Sequence, residues 1–161
     1  MLFPECKYKT NYLQNASELV FLCVKKKSLV HRSSCPISTA LDILGDKWSL
    51  LVIRDMMFKG KNTYGEFLEG GENIATNILA DRLALLECAG IVSKQKHPES
   101  KVKGLYKLTP KGIDLIPVLA EIIVWSERHH RVHPQATAFA KQLKKDKAGV
   151  LKNLKKSQKK K

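Results

Sequence analysis

The sequence predicts a mainly α-helical chain with one small β-hairpin. Three observations carry that expectation. From Cys35 onward, apolar residues recur at helical spacing. A single β-rich run over 91–97 is followed by a turn and a returning Leu105-Tyr106-Lys107-Leu108. Between two helical stretches, Gly70-Gly71 makes a tight turn with helix-turn-helix spacing.

The elements follow in order. Ile37, Ala40, Leu41 and Leu44 form one helical face, with Pro36 suited to the first position and Gly45 to the exit. Residues 48–58, WSLLVIRDMMF, are apolar almost all round and belong in the core. Lys59-Gly60-Lys61-Asn62 breaks that helix. Thr63 and Glu66 have the spacing of a capping box and open a short helix to about residue 69. Asn73 is expected to cap a helix over 74–89, which Gly90 ends in the left-handed conformation. The hairpin turn is expected over 98–104. Thr109-Pro110 is a helix start, and the last long helix is expected to run from there to about residue 132.

That helix carries two apolar stripes. Leu115, Val118, Leu119, Ile122 and Trp125 form one, and Ile116, Ala120 and Ile123 form the other. One domain face does not easily cover both, so the spare stripe predicts dimerisation through terminal helices, with Leu115, Ile116, Leu119, Ile122, Ile123 and Trp125 at the interface. The alternative is that residues 1–34 fold back over it.

Length and charge bound the function. A chain of 161 residues makes one compact domain with extensions, or at most two very small domains. The formal net charge is +14, and residues 141–161 hold ten lysines against one acid, Asp146. This end reads as a solvated, partly helical or disordered arm. It serves either solubility or a non-specific grip on an anionic polymer. Val150, Leu151 and Leu154 add a weak amphipathic stripe, but nothing else supports membrane-surface binding, and no membrane partner is expected. The four cysteines, at 6, 23, 35 and 88, lack zinc-site spacing. The chain's start does not read as a secretory signal, so a cytoplasmic protein with reduced thiols is expected. No Gly-rich phosphate loop, nucleophile elbow or paired-carboxylate motif stands in the sequence, so it reads as a non-enzyme with no cofactor. His129, His130 and His133 lack a completing ligand, and a polar helix end is the better reading than a metal site.

Helices, helix-turn-helix, β-hairpin and long helix in that order make a winged helix-turn-helix. The residues resemble the HxlR-type transcriptional regulators, relatives of the MarR-like regulators. The matching pieces are Cys35-Pro36-Ile37; Leu44-Gly45-Asp46-Lys47-Trp48-Ser49-Leu50-Leu51 with Arg54-Asp55; and 79–87, LADRLALLE. They continue with Gly90-Ile91-Val92, His97-Pro98-Glu99, 106–112 (YKLTPKG), and Pro117-Val118-Leu119 with Trp125. The match covers about 35–130 and neither flank. The resemblance implies a cytoplasmic homodimer that binds an operator and regulates nearby genes. Thr63 stands where the family usually has a basic residue, and Thr76 and Asn77 where it often has Arg or Gln, so the operator is not carried over.

The division expected is a 1–34 extension, a 35–133 winged helix-turn-helix domain and a 134–161 Lys-rich tail. A helix fits the DNA major groove, where each base pair shows its own donor and acceptor pattern. On the helix over 74–88, Asn73, Thr76, Asn77, Ala80, Asp81 and Ala84 point outward. Asn77 suits adenine, and Thr76 suits a base or a thymine methyl. Asp81 repels phosphate and has at best a weak cytosine-reading role, with a surface charge as the bland alternative, and Arg82 is read first as an internal ion pair and second as a phosphate contact. Lys61, Thr63 and Tyr64 are expected at phosphates. Lys94, Lys96, Lys101 and Lys103 of the wing are expected at the minor groove, with a solvated basic hairpin as the bland alternative. The reading is a sequence-specific regulator of double-stranded DNA, taken as a repressor acting on a palindromic site. The alternatives are a less specific architectural protein gripping DNA through its lysines, and an RNA- or protein-binding module on the same fold. Cys35, at a helix N-cap with His31 and Arg32 nearby, is a candidate redox or electrophile sensor or else a plain cap residue. Cys88 reads as a passive thiol.

Overall fold

A computed structural model describes residues 33–97 and 100–159, without the side chains of His97, residues 100–103 and Lys159. Expectations about residues 1–32 lie outside the described residues.

Pro36 opens α1 (Pro36–Leu44), with Cys35 as N-cap. The helix is where the spacing puts it, but it buries no residue of its own. Ile37 is 70% exposed and Leu41 52%. In α2 (Ser49–Phe58) the apolar character is spent on the core: Val52, Ile53, Met56 and Met57 are buried. Asp46 holds its start. One carboxylate oxygen accepts from the backbone N–H groups of Trp48 at 2.7 Å and Ser49 at 3.0 Å, and the other accepts from the Ser49 hydroxyl.

The capping box is formed. The Thr63 hydroxyl accepts from the Glu66 N–H, and the Glu66 carboxylate accepts from the Thr63 N–H, opening α3 (Tyr64–Leu68). The next helix, α4 (Thr76–Cys88), starts two residues later than expected, with Ala75 as N-cap. Asn73 is not the cap: its φ of 54° puts it in the left-handed region, which asparagine tolerates better than most side chains. Together with Gly71 at φ 78° it turns the chain between the two helices. Gly90, at φ 68°, sits left-handed just past the end of α4, as expected. Cys88 is disulfide-bonded, so the expectation of reduced thiols does not hold for it.

The wing pairs β1 (Val92–His97) with β2 (Ser100–Leu108) antiparallel, from Val92 opposite Leu108 to Lys96 opposite Gly104. The register then shifts, and His97 faces Ser100. Strand β2 thus begins inside the stretch expected to be turn. Thr63 bridges to Leu105, and the Tyr106 N–H donates to the Asn62 carbonyl at 2.7 Å. The wing is thereby tied to the start of α3.

Thr109 caps α5 (Pro110–Ile113), its hydroxyl accepting from the Gly112 N–H. The expected long helix then breaks before α6 (Ile116–His129). Pro117 explains the break: it has no N–H for the Ile113 carbonyl, and its ring clashes with a carbonyl in that position. The core centres on Ile53, Leu79, Leu83, Leu86, Val92 and Ile116.

The chain beyond residue 133 differs most from expectation. It forms α7 (Pro134–Lys145) and α8 (Lys147–Lys159). Ala140 and Leu143 are buried. Phe139 packs edge-on against Phe58 of α2 at 5.4 Å between ring centres. The Gln158 amide donates to the Met57 carbonyl at 2.9 Å. Lys144 pairs with Glu127 at 2.7 Å and Lys155 with Asp114 at 3.0 Å, and Lys147 pairs with Glu121. Both helices belong to the same compact unit as the winged helix. The arm read as solvated and partly helical or disordered is helical, but one face is buried rather than solvated, and three of its lysines are answered by acids. Among the described residues no helix is long and apolar enough to cross a membrane.

Candidate nucleic-acid interface

The candidate interface is built on α4. Leu79, Leu83 and Leu86 are buried and fix its inner side. Its leading residues, Thr76 and Asn77, are exposed, as are Ala80 and Asp81. No side chain caps this end of the helix. Thr76 and Asn77 therefore stand at an open N-terminus, where backbone N–H groups and the helix dipole favour anions.

Two ties set the pose of α4. Arg82 reaches Asp46 at 3.3 Å, the internal ion pair expected of it. Burial alone would raise the Asp46 pKa, but hydrogen bonds from the Ser49 hydroxyl and the Trp48 and Ser49 N–H groups, with the Arg82 charge, hold it below its ordinary value. At the other end, Lys111 donates to the Ala89 carbonyl at 2.8 Å, and the Thr109 hydroxyl donates to the Gly90 carbonyl at 2.6 Å. Cations and hydroxyls suit the carbonyl-rich end of a helix.

The residues expected at phosphates fare unevenly. Lys61 is only 17% exposed and lies 3.5 Å from the buried Asp55 carboxylate. Arg54 and Lys59 share that carboxylate, at 2.6 and 3.1 Å. Arg54 also reaches across to Glu72 at 2.8 Å, fixing the turn that precedes α4. Lys61 thus belongs to an ionic hub. Thr63 spends its hydroxyl on the capping box. The Tyr64 hydroxyl donates to the Thr76 carbonyl at 2.6 Å. Asn73 is exposed in the turn.

In the wing, the Lys94 ammonium lies over the Tyr106 ring at 5.7 Å. Lys96 is exposed, with no partner among the described residues. The side chains of Lys101 and Lys103 lie outside the described residues. Burial pushes the Glu87 carboxyl up, against hydrogen-bonding and charge from Lys94.

Of the residues expected at a dimer interface, Ile116 and Leu119 are buried within the single chain. Leu115 and Ile123 are half-buried. Ile122 and Trp125 are exposed, and Val118 is exposed beside them. The spare stripe is therefore Val118, Ile122 and Trp125, because the core takes the adjoining residues. Trp125 also carries the rings of His129 and His130, each 5.4 Å away. His133 caps α7, its Nδ1 accepting from the Gln135 N–H at 3.3 Å. Among the described residues no cluster of metal-ligating side chains occurs. Cys35 is an exposed free thiol.

An exposed helix after a tight turn, with a hairpin wing behind it, defines a winged helix-turn-helix of the transcriptional-regulator class. The profile of the HxlR-like helix-turn-helix family matches residues 43–134, and the chain belongs to that family. It is 39% identical over 85 residues to the HTH-type transcriptional regulator sll1512 of Synechocystis, covering 53% of this chain and 62% of that one. It is 37% identical over 95 residues to the HTH-type transcriptional regulator YodB of Bacillus subtilis, covering 58% of this chain and 84% of that one. The solved structure of the redox regulator HypR in its oxidised form superposes with a TM-score of 0.54 at 31% identity, covering 61% of this chain and 100% of that one. The match thus spans less than two thirds of sll1512, and α8 lies beyond the family segment.

Proposed function

We propose that the protein is a sequence-specific regulator of transcription, a repressor that binds double-stranded DNA in the cytoplasm as a homodimer on a palindromic operator. One observation carries the reading. Thr76 and Asn77 stand exposed at an uncapped helix N-terminus, with no side-chain partners among the described residues. Polar side chains without internal partners, on a helix that fits the major groove, are available to base edges. Among the described side chains Lys96 is a wing cation without a partner, available to the flanking minor groove, and Lys101 and Lys103 follow further along the hairpin. Two copies would meet through Val118, Ile122 and Trp125, with Ile37 and Leu41 adding apolar surface.

Cys35 is the proposed point of redox or electrophile response. Its thiol is exposed and free, it caps α1 beside the apolar surface just named, and a similar structure is that of a protein named a redox regulator. Oxidant should release wild-type protein from DNA but not Cys35→Ser, and equal release in both would end the sensor reading.

The test of the main reading is selection of bound fragments from random duplex DNA. A regulator yields a palindromic site, preferred over random sequence by about 10³ or more. Recovery of no site would assign the chain to architectural binding instead.

A further inference from the structure

Away from the helix-turn-helix, α8 lies against the first turn of α6. Ala148, Leu151, Lys152, Lys155 and Lys156 repeat at three- and four-residue spacing along one side of α8, and with Pro117 they line an open groove of about 460 Å³. The volume is within the range of small-molecule pockets, and the surface that the groove presents is almost wholly carbon. Pro117, Ala148 and Leu151 supply apolar groups, and the lysines supply long aliphatic stems that end in charge.

The charges are unevenly answered. Lys155 is held by Asp114 at 3.0 Å. Lys152 and Lys156 are exposed and make no ion pair among the described residues. Two lysines with no ion pair among the described residues therefore line a trough whose surface is mostly carbon. An inorganic anion would satisfy the lysines and leave the carbon surface wet. A neutral hydrocarbon would do the reverse. A molecule with an apolar chain and one carboxylate satisfies both. We propose that this groove binds a small amphipathic carboxylate of the fatty-acid type, its chain along Pro117, Ala148 and Leu151 and its carboxylate at Lys152 and Lys156. The site rests on the C-terminal helices and is independent of the DNA-binding reading.

The experiment is calorimetric titration of the full chain with decanoate, below its micellar range, beside decanol and inorganic phosphate. Decanoate should bind saturably at one site per chain, decanol more weakly, and phosphate should not compete. The double variant Lys152→Gln/Lys156→Gln should weaken decanoate about tenfold or more, since it removes charge-assisted hydrogen bonds. Ala148→Glu, at an exposed position, should abolish binding by placing a carboxylate in the trough. Unchanged unfolding midpoints establish that both variants fold. Decanoate binding insensitive to both variants, or matched by decanol, would overturn the proposal. So would an absence of decanoate binding, whether or not a random DNA duplex binds through the same two lysines.

Discussion

The Tyr64 hydroxyl donates its proton to the carbonyl of Thr76, 2.6 Å away. Tyr64 opens α3 and Thr76 opens α4, so one bond spans the turn and sets where the leading edge of α4 stands. A phenol has one proton. While that proton is given to Thr76, it is not available to a phosphate, and we propose that Tyr64 acts by positioning α4. Tyr64→Phe is expected to lower the stability of the free protein by about 0.5–1.5 kcal/mol, the net worth of such a bond. Denaturant unfolding of the DNA-free chain checks this. An unchanged midpoint with weakened DNA binding would return Tyr64 to the phosphate backbone.

Asn77 is the reverse case: exposed, and with no side-chain partner among the described residues. Its replacement by alanine removes no side-chain bond among the described residues. Asn77→Ala should therefore leave the unfolding midpoint level, cost about 1–3 kcal/mol on the selected operator, and relax one base position. An unchanged binding logo removes Asn77 from the reading set.

These two residues also show what the sequence discloses and what it withholds. The Thr63–Glu66 box, the Thr109-Pro110 start and the left-handed Gly90 are local chemistry, each legible within four residues. The Pro117 break is equally local, but an unbroken apolar stripe across it hides it. Asn73 looks like a cap by type, and only the turn geometry makes it a left-handed hinge. The Tyr64–Thr76 bond spans 12 positions and the Arg54–Glu72 pair 18, so no spacing rule reaches them. Periodicity shows that α1 is amphipathic but not whether anything covers it. Ten lysines in 21 positions read as solvated because charge masks the buried Leu143 among them and Ala140 just before them.

Glu66 predicts a pH dependence. Its carboxylate accepts from the Asn62 N–H at 2.8 Å and the Thr63 N–H at 2.9 Å. The Asn62 bond, then the Thr63 bonds and the Lys61 charge, outweigh burial and hold its pKa below 4.5. A carboxyl depressed on folding stabilises the fold above its unfolded pKa, and that contribution is lost as pH falls through the folded value. Glu87, pushed up by burial, runs the other way: its contribution is present at low pH and lost as pH rises through its folded value. Glu66→Gln should flatten the loss of stability on acidification, and Glu87→Gln should steepen it. Unfolding curves collected across the acid range decide both. Identical slopes in wild type and Glu66→Gln would mean that the box does not persist in solution.

The bare stripe on α6 predicts the association state. Ile122 is 41% exposed in the single chain and Trp125 57%, so a charge at 122 disturbs little within the protomer. Placed in an apolar contact between two copies, the same charge would be buried without a partner. Ile122→Glu should shift the protein from dimer to monomer in sedimentation and remove its advantage on a two-half-site operator. A wild-type chain that sediments as a monomer would remove the dimer.

The C-terminal helices offer the sharpest contrast between a solvated arm and a folded element. Leu143 is 3% exposed, on a helix that packs against α6 with Lys144 and Glu127 paired at the surface of that contact. On an arm in water, leucine to alanine is worth within about 0.5 kcal/mol. At a buried helix contact it leaves a cavity and costs about 2–5 kcal/mol. Leu143→Ala should fall in the second range. The exposed pairs at Lys144, Lys147 and Lys155 should contribute little by comparison, because solvent screens them. Lys144→Gln should therefore shift the midpoint far less than Leu143→Ala. A near-neutral Leu143→Ala would mean that residues 134–159 leave the domain in solution, and the groove between α8 and Pro117 would go with them.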